Sequence, residues 1–242
     1  MKSSVNGILL VDKPAGITSH KLVLKVRRVI NPSGASPKYK VGHTGTLDLA
    51  ATGLMILTVG KATKETSLFQ GLDKVYWAEV ELGKTTSTYD GKGKVLSEKP
   101  YPTDEKLIRE TLLSFQGLQD QLPPPYSAKK IGGKKAYQLA KKGVEVPLKK
   151  KRITIYSIEI ENLDLPYLRF IVHCSSGTYI RSLAFDLGQK LGCGAYLSSL
   201  RRLKVGPYSV EASHTLEEVQ EMGKKGREAL ESILLPVQKE IL

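Results

Sequence analysis

Gly7-Ile8-Leu9-Leu10-Val11 is a short unbroken apolar run, which predicts a buried strand. Pro14, Gly16 and Thr18-Ser19 then mark a turn and a helix N-cap. A helix is predicted over 20–30, with Val23, Val26 and Ile30 on one face and Lys21, Lys25, Arg27 and Arg28 exposed. The segment 33–37, Ser-Gly-Ala-Ser-Pro, reads as a loop, and 53–59 as a second apolar strand. Over 76–82, Tyr76, Ala78, Val80 and Leu82 alternate with Trp77, Glu79 and Glu81, the pattern of a half-buried strand. A polar, turn-rich stretch over 85–93 and a helix over 107–113 follow. Leu122-Pro123-Pro124-Pro125-Tyr126 imposes a rigid extended piece. Strands are predicted at 153–160 and 168–174, the latter with Leu168, Phe170, Val172 and Cys174 on one face. Ser176-Gly177-Thr178 opens a helix over about 179–191, and 216–235 is helical with a break near Gly223–Gly226. Alternating strands with helices interspersed, and no regular βαβ rhythm, predict an α+β fold with a largely antiparallel or mixed sheet.

Composition changes this picture in one respect. The 242 residues carry a formal net charge of +13, a field that attracts polyanions and makes nucleic acid the leading partner class. The basic residues concentrate between Lys129 and Lys151, where Ile131, Tyr137, Leu139 and Ala140 interleave with lysines; Lys61, Lys64, Arg201 and Arg202 extend the set. This pattern is expected to form an RNA-facing arm over about 120–152. The apolar run at 7–11 is too short for a signal peptide or a membrane span, so a cytoplasmic protein with no membrane partner is expected. Cys174 and Cys193 lie in no CxxC or Cys/His metal spacing, and phosphate-loop, GxGxxG, HExxH and GxSxG motifs are absent from the sequence.

The candidate chemistry starts at Asp48. It is the one acid in Gly42-His43-Thr44-Gly45-Thr46-Leu47-Asp48-Leu49-Ala50-Ala51-Thr52-Gly53, a run without lysine or arginine. A carboxylate can act as nucleophile or general base without a cofactor. The competing reading is an ordinary Asx-turn or helix cap. In Gly177-Thr178-Tyr179-Ile180-Arg181, an arginine at a helix start opposes the macrodipole, which implies a specific partner. The alternative is a surface arginine paired with a nearby acid. Tyr76 in Lys74-Val75-Tyr76 can stack on a base or simply fill the core.

These segments, together with Gly7-Ile8-Leu9-Leu10-Val11-Asp12-Lys13-Pro14-Ala15-Gly16, Pro124-Pro125-Tyr126-Ser127-Ala128 and Leu200-Arg201-Arg202, resemble the TruB family of tRNA pseudouridine synthases. Six motifs recur in family order from about residue 5 to 215. The resemblance implies the pseudouridine synthase fold, a mixed and largely antiparallel sheet with a central cleft and flanking helices. It implies isomerisation of uridine-55 in the tRNA T-loop, with no cofactor and no metal. Asp48 is then the catalytic carboxylate, attacking ribose C1′ or removing a ribose proton. Tyr76 stacks on the target base, and Arg181 pairs with Asp48. Tyr179 and Leu200 line the uracil pocket, His43 contacts the T-loop, and Lys64, Lys130 and Arg202 suit phosphate contacts. A non-catalytic RNA-binding or tRNA-folding protein, or a same-fold synthase acting on another RNA, are the competing functions.

Two departures accompany the resemblance. The family usually has proline directly after the catalytic aspartate, where this chain has Leu49. Many members also carry a small PUA-type RNA-binding domain at the C-terminus. Here the expectation is a catalytic domain over 1–215 and a helical segment over 216–242 without a complete PUA domain. A monomer suffices for this arrangement.

Overall fold

A computed structural model describes residues 5–32, 38–126, 130–131, 134–135 and 148–238. In chain order the main elements are β1 (Gly7–Lys13), α1 (Ser19–Ile30), β2 (Val41–His43), β3 (Thr52–Val59), α2 (Thr66–Gly71) and β4 (Lys74–Leu82). Then come β5 (Lys84–Thr86), β6 (Val95–Glu98), α3 (Glu105–Leu113), β7 (Gly117–Gln121), β8 (Lys130–Ile131) and β9 (Lys134–Lys135). The chain continues through β10 (Lys151–Asp164), β11 (Tyr167–Cys174), α4 (Ile180–Lys190) and β12 (Ala195–Val205). It closes with β13 (Tyr208–Ser209), β14 (His214–Thr215), α5 (Leu216–Lys225) and α6 (Arg227–Ser232). The fold is mixed α+β, with a largely antiparallel sheet and flanking helices. The chain divides into two compact units, Met1–Tyr76 with Arg201–Leu242, and Trp77–Leu200.

In the first unit, β1 and β3 pair antiparallel along their length, from Gly7 opposite Val59 to Lys13 opposite Gly53. Strand β14 adds parallel to β1, β2 antiparallel to β3, and the end of β12 parallel to β3 at Arg201–Thr52 and Arg202–Gly53. Residues 8–11 and 54–57 are all buried, so both strands bury both faces and read as continuous apolar runs rather than alternating ones. One core cluster joins Ile8, Leu10, Leu54, Ile56, Phe69 and Val205. Helix α1 starts where the Thr18 hydroxyl accepts the Lys21 N–H. Helix α5 starts at a full capping box between Thr215 and Glu218 and stops at Gly226, whose φ of 108° no continuing helix allows.

In the second unit the strand order is β12, β4, β11, β10, β7. Strands β10 and β11 form an antiparallel hairpin, and Leu168, Phe170, Val172 and Cys174 are buried on one face of it. The expected alternation of β4 holds as far as Val80: Ala78 and Val80 are buried, while Glu79 on the other face pairs with Arg169 at 2.7 Å; beyond it Glu81 is buried as well, bonded to the Tyr196 hydroxyl. Seven of the eleven residues of α4 are buried, Arg181 and Ser182 among them.

The predicted strands and helices are present within a few residues of their expected bounds. The 11-residue strand β12 was not legible. Its burial alternates at Ala195 and Leu197, then slips around Ser199, and the rest carries Arg201, Arg202 and Lys204, so its pattern reads as basic surface. The expected loop over 33–37 lies outside the described residues. So does most of the basic arm, of which only the backbone of the short β8–β9 ladder is described.

Candidate active site

Asp48 is exposed on the loop between β2 and β3. Its neighbours Leu47 and Ala51 are buried and anchor the loop on both sides. Four groups tie the loop down. Ser19 Oγ donates to Leu47 O at 2.9 Å and accepts from Leu47 N at 2.9 Å. The Gly16 N–H donates to Leu49 O at 2.9 Å. Lys13 Nζ donates to Ala51 O at 2.6 Å and to Pro14 O at 3.0 Å. Arg202 Nε donates to Leu54 O at 2.7 Å and Nη2 to Gly45 O at 3.3 Å. Gly53 has φ of 101°, and a Cβ there would lie 2.3 Å from Arg202 O, so only glycine lets β12 close on this strand. Of the three glycines of the motif, it alone uses positive φ.

Two cations behind this loop are buried. Arg202 is 2% exposed, with its guanidinium committed to backbone carbonyls. The expected phosphate contact at Arg202 therefore gives way to a supporting role, because a guanidinium held this way is not presented to solvent. Lys13 is fully buried; burial and the neighbouring Arg202 push its amine down to about 8, against the pull of the Asp48 carboxylate. Even when deprotonated, the amine keeps two N–H groups for its two carbonyls. Burial, with Arg202 and His20 nearby, likewise lowers His43, which favours a neutral imidazole whose Nδ1 is buried without a partner among the described residues. Arg201, by contrast, forms a two-point pair with Asp12 at 2.6 and 3.1 Å. Lys64 is exposed, and Tyr76 is 8% exposed at the buried side of β4.

The Lys13 amine predicts a pH dependence. It titrates near 8 when folded and at 10.5 without burial. Between those values the unfolded chain binds more protons, so stability rises with pH there. At about 1.4 kcal/mol per pH unit the gain is about 3 kcal/mol. Urea unfolding of the native protein and Lys13→Met across this range checks it. The native protein's free energy should climb relative to the variant's, and a flat difference would refute a buried titrating amine.

The second unit holds the other set. Arg181, the second residue of α4, is 6% exposed, which rules out a surface arginine. Its Nη1 donates to Thr88 O at 2.9 Å, its Nη2 donates to Tyr126 O at 3.0 Å, and Asp90 Oδ2 lies 3.6 Å from Nη1. The turn that presents Thr88 and Asp90 is tight. Thr88 Oγ1 and the Lys92 N–H both donate to Asp90 Oδ1, and Tyr89 sits at φ of 63° with its ring stacked on Phe185 at 3.9 Å. Tyr179 is bracketed by the buried amide of Gln121, which accepts from Tyr179 N at 2.8 Å and donates to Tyr179 O at 3.1 Å. Ser182 Oγ donates to Leu122 O at 2.7 Å. The proline-rich piece thus serves as a rail along the start of α4. Leu200 is half-buried on β12. Lys130 has a described backbone only, so its expected phosphate contact lies outside the described side chains.

The family models match nearly the whole chain. The N-terminal domain of TruB family pseudouridylate synthases matches residues 28–180, and the tRNA pseudouridylate synthase B C-terminal domain matches 181–241. The chain belongs to the TruB family of pseudouridylate synthases. Similar TruB-family relatives include a tRNA pseudouridine synthase B of Clostridium kluyveri, 46% identical over 213 residues, covering 88% of this chain and 72% of that protein. The tRNA pseudouridine synthase B of Aquifex aeolicus is 44% identical over 216 residues, covering 88% and 73%. Among solved structures, a chain of a Cbf5-Nop10-Gar1 complex superposes with a TM-score of 0.72 at 26% identity, over 97% of this chain and 63% of that one. This chain therefore spans less than two thirds of that larger protein.

Sequence reasoning missed Lys13 and Ser19 as supports of the Asp48 loop, and Asp90 and Gln121 as partners of Arg181 and Tyr179. Lys13 and Ser19 stand in or beside the N-terminal motif that carried the resemblance, but nothing local says that they reach residues 47–51. Asp90 lay in a stretch read as turn, and Gln121 carried no signal. Among the described residues no group of three His, Cys, Asp or Glu side chains could hold a metal ion.

Proposed function

We propose that this pseudouridine synthase converts uridine-55 of the tRNA T-loop to pseudouridine, with Asp48 as the catalytic carboxylate. The observation that carries the reading is an exposed carboxylate on a loop anchored on one side by buried Leu47 and on the other by buried Ala51, both hydrogen-bonded through their backbone. Such a group keeps its place while a flexible substrate is brought to it, which is where most of the advantage of an enzymic carboxylate lies. The target carbon is hidden in a folded RNA loop, so the nucleotide must be extruded at a cost of a few kcal/mol. Stacking on Tyr76, worth about 1–3 kcal/mol, offsets part of that. Phosphate contacts from Lys64, Lys130 and the arm add to it. Tyr179 and Leu200 line the uracil pocket, and a neutral His43 contacts the T-loop as a hydrogen-bonding group rather than a cation. Arg181 serves as counter-ion to Asp48, holding it ionised while it attacks ribose C1′ or takes a ribose proton. The freed uracil turns and rejoins through C5. The protein acts as a cytoplasmic monomer on the T-arm without a cofactor. No helix among the described residues is long and apolar enough to cross a membrane.

The test is incubation of the purified protein with unmodified tRNA and with an isolated T-arm hairpin, followed by mapping of pseudouridine. Product at position 55 in both is expected. Binding without product in either would favour a tRNA-folding protein, and product only in another RNA would move the substrate.

A further inference from the structure

The segment that joins β1 to α1 runs antiparallel to the Asp48 loop and holds it at alternate positions. Ser19 meets Leu47, Gly16 meets Leu49, and Lys13 meets Ala51. Of the three, Ser19 is the most demanding contact. It is 2% exposed at the first residue of α1, and its one hydroxyl closes both the N–H and the C=O of Leu47. Leu47 immediately precedes Asp48. A hydroxyl that both donates to and accepts from one residue holds the two peptide planes on either side of that residue's Cα, as a strand partner would. On the other side of Asp48 the chain has Leu49, 46% exposed, where a proline would lock φ.

We infer that Ser19 is the positioning residue for Asp48, and that its two-way bond to Leu47 supplies the restraint that proline after the aspartate would otherwise give. This rests on the reading of Asp48 as the catalytic carboxylate. Without the Ser19 hydroxyl, the N–H and C=O of Leu47 are left as two buried polar groups to satisfy, and the chain there is free to turn toward water. The carboxylate next to it then samples positions around the productive one, and a misplacement of about 1 Å costs about 10²-fold in rate. Substrate affinity is set elsewhere, by stacking and phosphate contacts, so the loss falls on kcat.

Ser19→Ala should lower kcat at saturating tRNA by about 10- to 100-fold, with KM within about three-fold of the native value. Thr18→Ala is the structural control. It removes the N-cap of the same helix, lowers Tm comparably and touches no bond of the loop, so kcat should stay within about two-fold. Leu49→Pro should restore about ten-fold in the Ser19→Ala background and do much less in the native one, since neighbouring restraints on one loop are not additive. Ser19→Cys keeps the shape with a weaker donor, covers the case in which Ser19→Ala does not fold, and should give an intermediate kcat. Native kcat in both Ser19 variants, an equal loss in Thr18→Ala, or the same Leu49→Pro factor in both backgrounds would each overturn the inference. Asp48→Asn separates it from the reading beneath. If that variant still forms product, Asp48 is not the catalytic group. If it is inactive while Ser19→Ala is fully active, only the positioning role fails.

Discussion

Asp48→Asn is expected to lower single-turnover pseudouridine formation by about 10⁴-fold or more while tRNA still binds within a few-fold. The substitution is nearly isosteric, and the loop does not depend on the carboxylate for its shape: Leu47, Leu49 and Ala51 are held through their backbone groups by Ser19, Gly16 and Lys13. An amide is a poor nucleophile and a poor base, so both routes open to Asp48 are lost together. Binding should even gain slightly, because one negative charge is removed from a surface that meets a polyanion. Quenched-flow conversion of labelled tRNA and filter binding at one fixed salt concentration measure the two quantities. Residual turnover within about a hundred-fold of native would place the chemistry on another group.

Arg181 should show the second-largest effect, and the form of the loss is informative. The guanidinium is buried and serves two carbonyls and a carboxylate in its own unit, Thr88 O, Tyr126 O and Asp90. Arg181→Met leaves those acceptors without their donor, at a cost of about 3 kcal/mol of stability for breaking a buried charged network. Arg181→Lys keeps the charge but not the planar fork, so it cannot meet Thr88 O and Tyr126 O together. It should therefore fold better than Arg181→Met and still lose about 10²- to 10³-fold in kcat. On the proposal that Arg181 is the counter-ion of the catalytic carboxylate, the acid limb of the kcat profile should move to higher pH by about one unit, as a carboxylate loses an opposite charge. The limb unmoved in both variants would mean that Arg181 acts on the fold alone.

Much of the fold is legible in the order of residues. The strand at β1, the helix α1 with its Thr18 cap, the alternation along β4 and β11, and the break at Gly226 all follow from local periodicity and backbone preference. Asp48 is legible because an acid among neutral and small residues is conspicuous, and Arg181 because a cation at a helix start contradicts the local electrostatics. Strand β12 is not, since its partners are decided by what lies beside it and its own alternation slips. The roles of Ser19 and Gln121 are not, because a hydrogen bond spanning 28 or 58 residues leaves no trace in either segment.

By itself the sequence determined most of the elements and the family, and it singled out Asp48 as a candidate, since periodicity, turn chemistry and motif order are properties of neighbouring residues. Only the tertiary structure decided how the charges are used. Arg201 and Arg202 are adjacent and identical in kind, yet one pairs with Asp12 at a half-exposed position and the other is buried on the carbonyls that shape the Asp48 loop. Successive residues of a strand face opposite ways, and what each meets there is set by chain segments about 150 residues or more distant, so burial and partner could be known only once those segments were in place.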